Sequence, residues 1–124
     1  MDRLTTSSPY EAKIGYARVV NDGLYAHVAG TTGLDPDGPA DQSAVDQCAL
    51  TLTRLAAALD MVGLDFSDLV RVTYYLPNGG DFEACWPVLS AAFGDHPPAA
   101  TMVVAGLIDP RMKIEIEATA RMRA

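Results

Sequence analysis

The sequence predicts an α+β fold in which two amphipathic helices cover one face of a mixed β-sheet, in the order β-β-α-β-α-β-β. Three observations lead to this prediction: β-rich runs near both ends of the chain, two stretches of helical periodicity, and turn residues at their boundaries. The chain has 124 residues, of which 49% are hydrophobic. This length suits one domain, residues 1–124, with a single core.

A β-hairpin is predicted first. Ile14 to Val20 and Leu24 to Val28 are rich in β-forming residues, and the Asn-Asp-Gly between them is typical of a hairpin turn. The segment from Ala29 to Gln42 is rich in glycine and proline, so we expect a loop there. Long ordered loops often carry functional residues.

A long amphipathic helix and a third strand are expected next. Apolar residues recur at three- and four-residue steps from Ser43 to Val62, and Gly63 is suited to end the helix. Residues 68–76 then alternate as in a strand. The alternation assigns to one face Val70, Val72, Tyr74 and Leu76.

The second helix is predicted from about Phe82 to Phe93, with Asp81 as its N-cap. Pro87 disfavours an uninterrupted helix, so the helix either kinks at this residue or begins there. Two more strands are expected between residues 97 and 120, joined by a turn. The last strand carries Glu115 between apolar neighbours.

Composition and charge argue against several classes of protein. The net charge of −7 and the scattered basic residues disfavour binding to nucleic acid. No apolar run is long enough to span a membrane and no signal peptide is evident, so we expect a cytoplasmic protein. Cys48 and Cys85 lie in apolar helical patterns and are expected to be buried free thiols. His27 and His96 have no partner at motif spacing, and we expect neither a metal nor a cofactor.

The sheet face away from the helices is predicted to be too apolar for solvent alone and too polar for the core of a monomer. Self-association through this face would explain the mixture, because symmetric oligomers bring identical surfaces together. The sequence therefore predicts a homo-oligomer.

The ordered set of motifs IGYARVV, YAHVAGTTGLDPDG, GLDFSDLVRVTYYL, PPAAT and KIEIEATA resembles the Rid family of reactive-intermediate deaminases, also called the YjgF-type family. The resemblance implies a chorismate-mutase-like fold and a homotrimer whose sheets form a central barrel. Ligand clefts would lie between adjacent subunits. Family members hydrolyse enamine and imine intermediates to a 2-keto acid and ammonia.

The resemblance also implies a set of site residues. Tyr16 matches the family's first-strand tyrosine, Gly30 the glycine that ends the second strand, and Glu115 the glutamate of the last strand. Thr31 follows Gly30 at a point where a backbone approaches a ligand closely, although a plain turn is an equal alternative.

Four positions depart from the family's pattern. Ala29 stands where serine is usual, and Trp86 falls near the polar residue of the second helix. Ala100 replaces the arginine that holds a substrate carboxylate, and Met102 replaces a cysteine. The chain thus resembles the arginine-lacking branches of the family, and its pocket should be more apolar at this end.

Each assignment has a structural alternative. Glu115 is alternatively a solvated or cross-paired carboxylate, Tyr16 a core or interface aromatic, and Trp86 a core aromatic. Glu117 is expected to be structural. Arg18 lies two residues after Tyr16 on the predicted strand. It is either an anion handle, that is, a group that binds the substrate carboxylate in place of the missing arginine, or an exposed or interface arginine.

Two functions from different classes remain. The first is an enzyme that hydrolyses or tautomerises an imine, an enamine or a related reactive metabolite, with Glu115 as acid and base through water. The second is a non-catalytic trimer that binds a metabolite or stabilises a partner enzyme. A ribonuclease activity is disfavoured by the acidic charge balance.

Overall fold

The computed structural model describes residues 1–124, which form one six-stranded mixed sheet and three helices. The strands are β1 (Asp2–Leu4), β2 (Val19–Asn21), β3 (Tyr25–Thr32), β4 (Leu69–Leu76), β5 (Ala99–Val104) and β6 (Glu115–Arg121). The helices are α1 (Pro9–Ile14), α2 (Ala44–Asp60) and α3 (Phe82–Phe93). Short 3-10 turns precede β4 and α3.

The sheet has the strand order β1-β2-β3-β6-β4-β5. The last strand, β6, lies in the middle and pairs antiparallel with both β3 and β4. Strand β5 pairs only with β4, in parallel, and forms one edge of the sheet. The last two strands of the chain, β5 and β6, are therefore not neighbours, because β4 lies between them.

The predicted hairpin turn is confirmed. Strands β2 and β3 are antiparallel neighbours, with Val19 opposite Val28. Gly23 has a φ of 98°, which glycine adopts without a steric penalty. The Asp22 carboxylate accepts hydrogen bonds from the backbone N–H groups of Leu24 and Tyr25, so the side chain closes the turn.

The predicted first strand is wrong over most of its length. Ile14 ends the six-residue helix α1, and Gly15 follows it in the left-handed region with a φ of 92°. Only Val19 and Val20 of the predicted run belong to β2. Helix α1 is too short to show a repeated apolar period, so the sequence signal reduces to Pro9 at its start and Gly15 at its end. Strand β1, with three residues, was also not predicted.

The predicted loop begins too early, because β3 continues to Thr32. Helix α2 agrees closely with its prediction: the Ser43 hydroxyl accepts a hydrogen bond from the backbone N–H of Asp46 at 3.1 Å.

The assignment of Val70 to the apolar face of β4 is wrong, since this side chain is 42% exposed. The pairing of β4 with β6 shifts register between Leu69 and Arg71, and the irregularity turns Val70 outward.

Helix α3 runs through Pro87 without a break in its assignment. Pro87 is exposed, so the carbonyl group that lacks its usual N–H donor lies on the solvent side of the helix. Asp81 holds the N-cap position, but its side chain forms no capping hydrogen bond. The Asn78 side chain instead accepts a hydrogen bond from the backbone N–H of Gly80 at 2.9 Å, one turn earlier.

Helices α2 and α3 pack on each other, and one continuous core lies between them and one face of the sheet. Cys48 and Cys85 are buried free thiols, as predicted, and burial raises the pKa of Cys48 to about 12. None of the helices has the length and apolar character that crossing a membrane requires.

Buried Gln47 joins α2 to the segment before β6. Its side-chain amide donates to the carbonyl oxygens of Gln42 at 3.0 Å and Arg111 at 2.9 Å. Its side-chain oxygen accepts a hydrogen bond from the backbone N–H of Lys113 at 2.9 Å. Every polar atom of the Gln47 side chain is therefore paired, as burial requires.

Gly33 marks the closest approach between the segment after β3 and helix α2. A Cβ atom at this position would overlap the backbone carbonyl oxygen of Gln47 and the hydroxyl of Thr51.

We expect Gly33→Ala to destabilise the fold by about 3 kcal/mol or more, because the backbone of helix α2 must move to admit the methyl group. Gly106→Ala is the matched control, since no atom lies within 4 Å of the added Cβ. Urea unfolding would measure both variants, and equal stabilities would contradict the close packing at Gly33.

Candidate functional site

Glu115 is the first residue of β6 and lies on the sheet face away from the helices. Its neighbours Ile114 and Ile116 are fully buried on the opposite face, so the alternation of the strand turns Glu115 outward. In the sheet it pairs with Thr32 of β3 and with Tyr75 of β4. Glu115 is half-buried, unlike the exposed Glu117 two residues later.

Strand β3 carries an irregularity opposite this glutamate. Val28 pairs with Ala118 and Thr31 with Ile116, so two residues of β3 face one residue of β6. Gly30 is one of these two residues. A Cβ atom on Gly30 would lie 2.7 Å from a carboxylate oxygen of Glu115, closer than real Cβ contacts allow. The absence of a side chain at this position therefore gives the Glu115 carboxyl group its space.

Burial raises the pKa of Glu115, and the negative charge of Glu117 raises it further, while the positive charge of Arg18 opposes both effects. The hydroxyl of Tyr75 donates a hydrogen bond to Glu117 at 2.6 Å. A carboxyl group with a raised pKa gives up and takes back a proton closer to neutral pH than an exposed one. Glu115 thus has the electrostatic setting of an acid-base group.

Tyr16 does not lie on a strand, which corrects the placement implied by the resemblance. It lies in the irregular segment between α1 and β2, and its backbone N–H donates to the carbonyl oxygen of Glu11 at 3.0 Å. Arg18 also lies before β2, so a shared strand face does not relate the two residues. They still meet: the Arg18 guanidinium donates to the Tyr16 hydroxyl at 3.2 Å.

Thr31 is buried, and its hydroxyl donates to the carbonyl oxygen of Ala29 at 2.9 Å. This local bond stabilises the irregular part of β3. The structure thus brings together four of the predicted residues through neighbouring contacts around Arg18: Tyr16, Gly30, Thr31 and Glu115.

The remaining predicted residues form a second group in the chain. Trp86 is 53% exposed on α3 and packs its ring edge-to-face with Phe82, so the alternative of a core tryptophan is wrong. Ala100 and Met102 lie on the edge strand β5 and pair with Val72 and Tyr74, whose side chains are buried under the helices. Paired residues share a sheet face, so Ala100 and Met102 lie on the opposite face from Glu115. A single chain therefore does not unite the two groups.

Among the hollows on the surface are two that Glu115 does not line. One, of about 220 Å³, is on the open sheet face, with charged and polar lining residues that include His27, Arg71 and Glu117. The other, of about 470 Å³, lies between α2 and the loop after β3. No group of three His, Cys, Asp or Glu side chains is arranged to hold a metal ion.

Three polar contacts were not predicted from the sequence. His27 bonds to the Asp22 carboxylate at 2.8 Å across the hairpin, and the pairing helps to lower the pKa of Asp22 to about 2. Their spacing of five residues matches no motif, and only the hairpin register brings them together. Arg18 was recognised as a candidate, but its contacts with Gly30 and Thr31 cross twelve or more residues and leave no local signal.

A model of the family described as Endoribonuclease L-PSP matches residues 5–122. A RutC family protein of Pyrococcus horikoshii is 30% identical over 107 residues, which cover 85% of each chain. A 2-iminobutanoate/2-iminopropanoate deaminase of Capra hircus is 26% identical over 121 residues, or 95% of this chain and 88% of the relative.

Among solved structures, the crystal structure of a YjgF/YER057c/UK114 family member from Mycobacterium tuberculosis is similar over 98% of both chains. The sequence identity is 32% and the TM-score is 0.87. The family match extends over nearly the whole chain, and the similarity includes every strand and helix that supports Glu115. The chain belongs to the Rid family, also known as the YjgF-type family.

Proposed function

We propose that the protein is a small-molecule enzyme that acts on an imine, an enamine or a related reactive metabolite by hydrolysis or tautomerisation. The observation that carries this proposal is the half-buried Glu115 carboxyl group, which lies against Gly30 and has a raised pKa. Such a group accepts a proton from water and donates it to nitrogen with little cost in either direction.

For hydrolysis, Glu115 in its ionised form takes a proton from a water molecule as the water oxygen bonds to the imine carbon. The carbon–nitrogen double bond becomes a single bond, and the nitrogen gains the proton. Glu115 then moves the remaining hydroxyl proton to the amine nitrogen, the carbon–nitrogen bond breaks, and ammonia leaves as the oxygen forms a carbonyl group, with Glu115 ionised again. In tautomerisation the same carboxyl group moves a proton between carbon and nitrogen, with no net consumption of water.

The proposed substrate differs from a small 2-imino acid held by an arginine. Ala100 offers neither a charge nor a hydrogen-bond donor in its side chain, and Glu117 places a second negative charge near Glu115. Trp86 and Met102 are exposed and apolar. These features favour a neutral or cationic imine with an apolar substituent over an anionic one.

We further propose a homotrimer with its clefts between subunits. Exposed apolar residues cluster on β5 and the loop after it, with Val104 60% and Ile108 93% exposed. A neighbouring subunit would cover them, and the Trp86 and Met102 of one subunit would meet the Glu115 of another in a shared cleft.

Light scattering at micromolar concentration should give about three times the 13.2 kDa mass of one chain. A monomer would contradict both the trimer and the shared cleft.

Glu115→Gln tests the acid-base role. The variant keeps the shape of the side chain and removes its titration, so we expect a loss of rate of roughly a hundredfold or more. A suitable substrate is the methyl ester of 2-iminopropanoate, generated in the assay and followed by ammonia release above the rate in buffer. Asp60→Asn, which removes an exposed carboxylate at the end of α2, is the control and should keep the wild-type rate. If the wild type accelerates none of a panel of neutral imines, the non-catalytic binding function replaces this proposal.

Ala100→Arg tests the substrate class. The wild type should clear 2-iminopropanoate poorly, because a missing charge-assisted pair costs about 1.5–3 kcal/mol, or about ten- to a hundredfold in binding. The new guanidinium should raise this activity. Ala99→Arg adds the same charge one residue earlier, on the other face of β5, and should not raise it. Keto-acid detection would compare the three proteins, and strong wild-type activity would show that another group holds the carboxylate.

A further inference from the structure

We propose that Arg18 is a positioning residue that holds the Tyr16 hydroxyl and the Gly30 carbonyl beside Glu115, and that it does not bind a substrate carboxylate. This inference rests on the proposed acid-base function of Glu115. It assigns Arg18 a task that differs from an anion handle, and the difference is measurable.

The contacts of the guanidinium argue against a role of Arg18 in binding a substrate carboxylate. One terminal nitrogen of Arg18 donates to the carbonyl oxygen of Gly30 at 3.0 Å and approaches the hydroxyl of Thr31 at 3.4 Å. The other terminal nitrogen donates to the Tyr16 hydroxyl at 3.2 Å. A carboxylate binds arginine best through two neighbouring N–H groups, and both terminal nitrogens of Arg18 already donate to groups of the protein.

A buried acid holds the third side of the guanidinium. The Nε atom of Arg18 lies 3.8 Å from a carboxylate oxygen of Glu11, and the two side chains are 16% and 2% exposed. Thr6 donates its backbone N–H and its hydroxyl to the same carboxylate. The Glu11 carboxylate is therefore itself fixed, and it orients the plane of the Arg18 side chain toward Tyr16 and Gly30.

The main chain of Arg18 is fixed as well. Its N–H donates to the carbonyl oxygen of Leu4 in β1 at 2.8 Å, and its carbonyl accepts from the N–H of Ala29 at 3.0 Å. Ala29 and Gly30 are the two residues of the β3 irregularity. Backbone and side chain of Arg18 thus bind the same two-residue segment, which is the segment against which the Glu115 carboxyl group lies.

The charge of Arg18 gives the test a direct readout. Two charged groups act on Glu115: Glu117 on the same strand and Arg18 from the segment before β2. Tyr75 of β4 lies opposite Glu115 in the sheet, and its hydroxyl donates a hydrogen bond to Glu117. Arg18 lowers the pKa of Glu115, and Glu117 raises it. Removing the positive charge should therefore raise the Glu115 midpoint, whereas Glu117→Gln should lower it.

The first experiment follows the Glu115 carboxyl carbon by NMR as the pH is varied, with no substrate. We expect Arg18→Met to raise the midpoint and Arg18→Lys, which keeps the charge, to leave it near the wild-type value. Arg121→Met is the matched control, since Arg121 makes the same kind of contact with a tyrosine, Tyr25, at the other end of β6. An unchanged midpoint in Arg18→Met would overturn the proximity of Arg18 to Glu115.

The second experiment separates positioning from charge. Arg18→Lys cannot form the forked contacts with Tyr16 and Gly30, so we expect it to lose rate on the neutral imine ester by roughly ten- to a hundredfold while its Glu115 midpoint stays in place. Tyr16→Phe should lose rate too, and the double variant should lose no more than the worse single one, because the two residues act as a unit. Fully additive losses, or a wild-type rate in Arg18→Lys, would overturn the positioning role.

A third measurement distinguishes this inference from a handle and from failure of the proposed function. Retained activity of Arg18→Lys on 2-iminopropanoate, with a raised KM in Arg18→Met, would identify Arg18 as an anion handle and overturn the proposal. A wild-type rate in Glu115→Gln together with the expected midpoint shifts would instead refute the proposed function of Glu115. If Arg18→Met does not fold, Arg18→Met combined with Glu11→Gln replaces it, because the pair removes both buried charges and keeps the same expected midpoint shift.

Discussion

The register of β6 is the constraint on which the candidate site depends. Ile114 and Ile116 are fully buried beneath the helices, and this burial determines which side chains of the strand face away from the core. A slip of one residue would bury Glu115 as a charged group without a partner, which is strongly unfavourable. Gln47 reinforces the register, since its hydrogen bond to Lys113 fixes the backbone directly before the strand. Helix α2 thus controls the position of a carboxyl group on the far side of the sheet.

The site itself uses irregular backbone on this regular frame. The extra residue in β3 places Gly30 against the Glu115 carboxyl group, and the segment around Tyr16 reaches the same place from outside the sheet. The frame and the irregular parts meet at Arg18, which contacts both. Such a division is common at functional sites, where departures from ideal strand geometry direct side chains to one point.

Much of the frame follows from sequence because it depends on local patterns. The apolar period of α2, the Asn-Asp-Gly turn and the alternation of β6 each specify their element within a few residues. Helix α1 was not predicted, because its six residues include the β-forming Tyr10 and Ile14 and are too few to show a helical period. The exposure of Val70 was not predicted for a different reason. A register shift depends on how two strands pair, and the sequence of neither strand determines it alone.

For the site, family resemblance selected Glu115 and Gly30, which the structure brings into contact. No sequence pattern indicated the buried Glu11 or the direction of the Arg18 side chain, because these contacts depend on the path of the backbone between α1 and β2. Trp86, Ala100 and Met102 lie on a different face of the chain from Glu115. In the proposed trimer their relation to Glu115 would be a property of the assembly, which neither the pattern of one chain nor its fold determines.

The two edges of the sheet differ in a way that bears on the life of a newly made chain. Strand β1 closes one edge with only three residues, a length too short to recruit another strand. Strand β5 leaves six residues, Ala-Ala-Thr-Met-Val-Val, with no charged side chain and with the outer hydrogen-bonding groups of its backbone open. An uncharged open edge is a template for unspecific strand addition. A newly synthesised chain is therefore prone to aggregate until another surface covers β5. The yield of folded protein would then depend on how soon β5 is covered as well as on the stability of the fold.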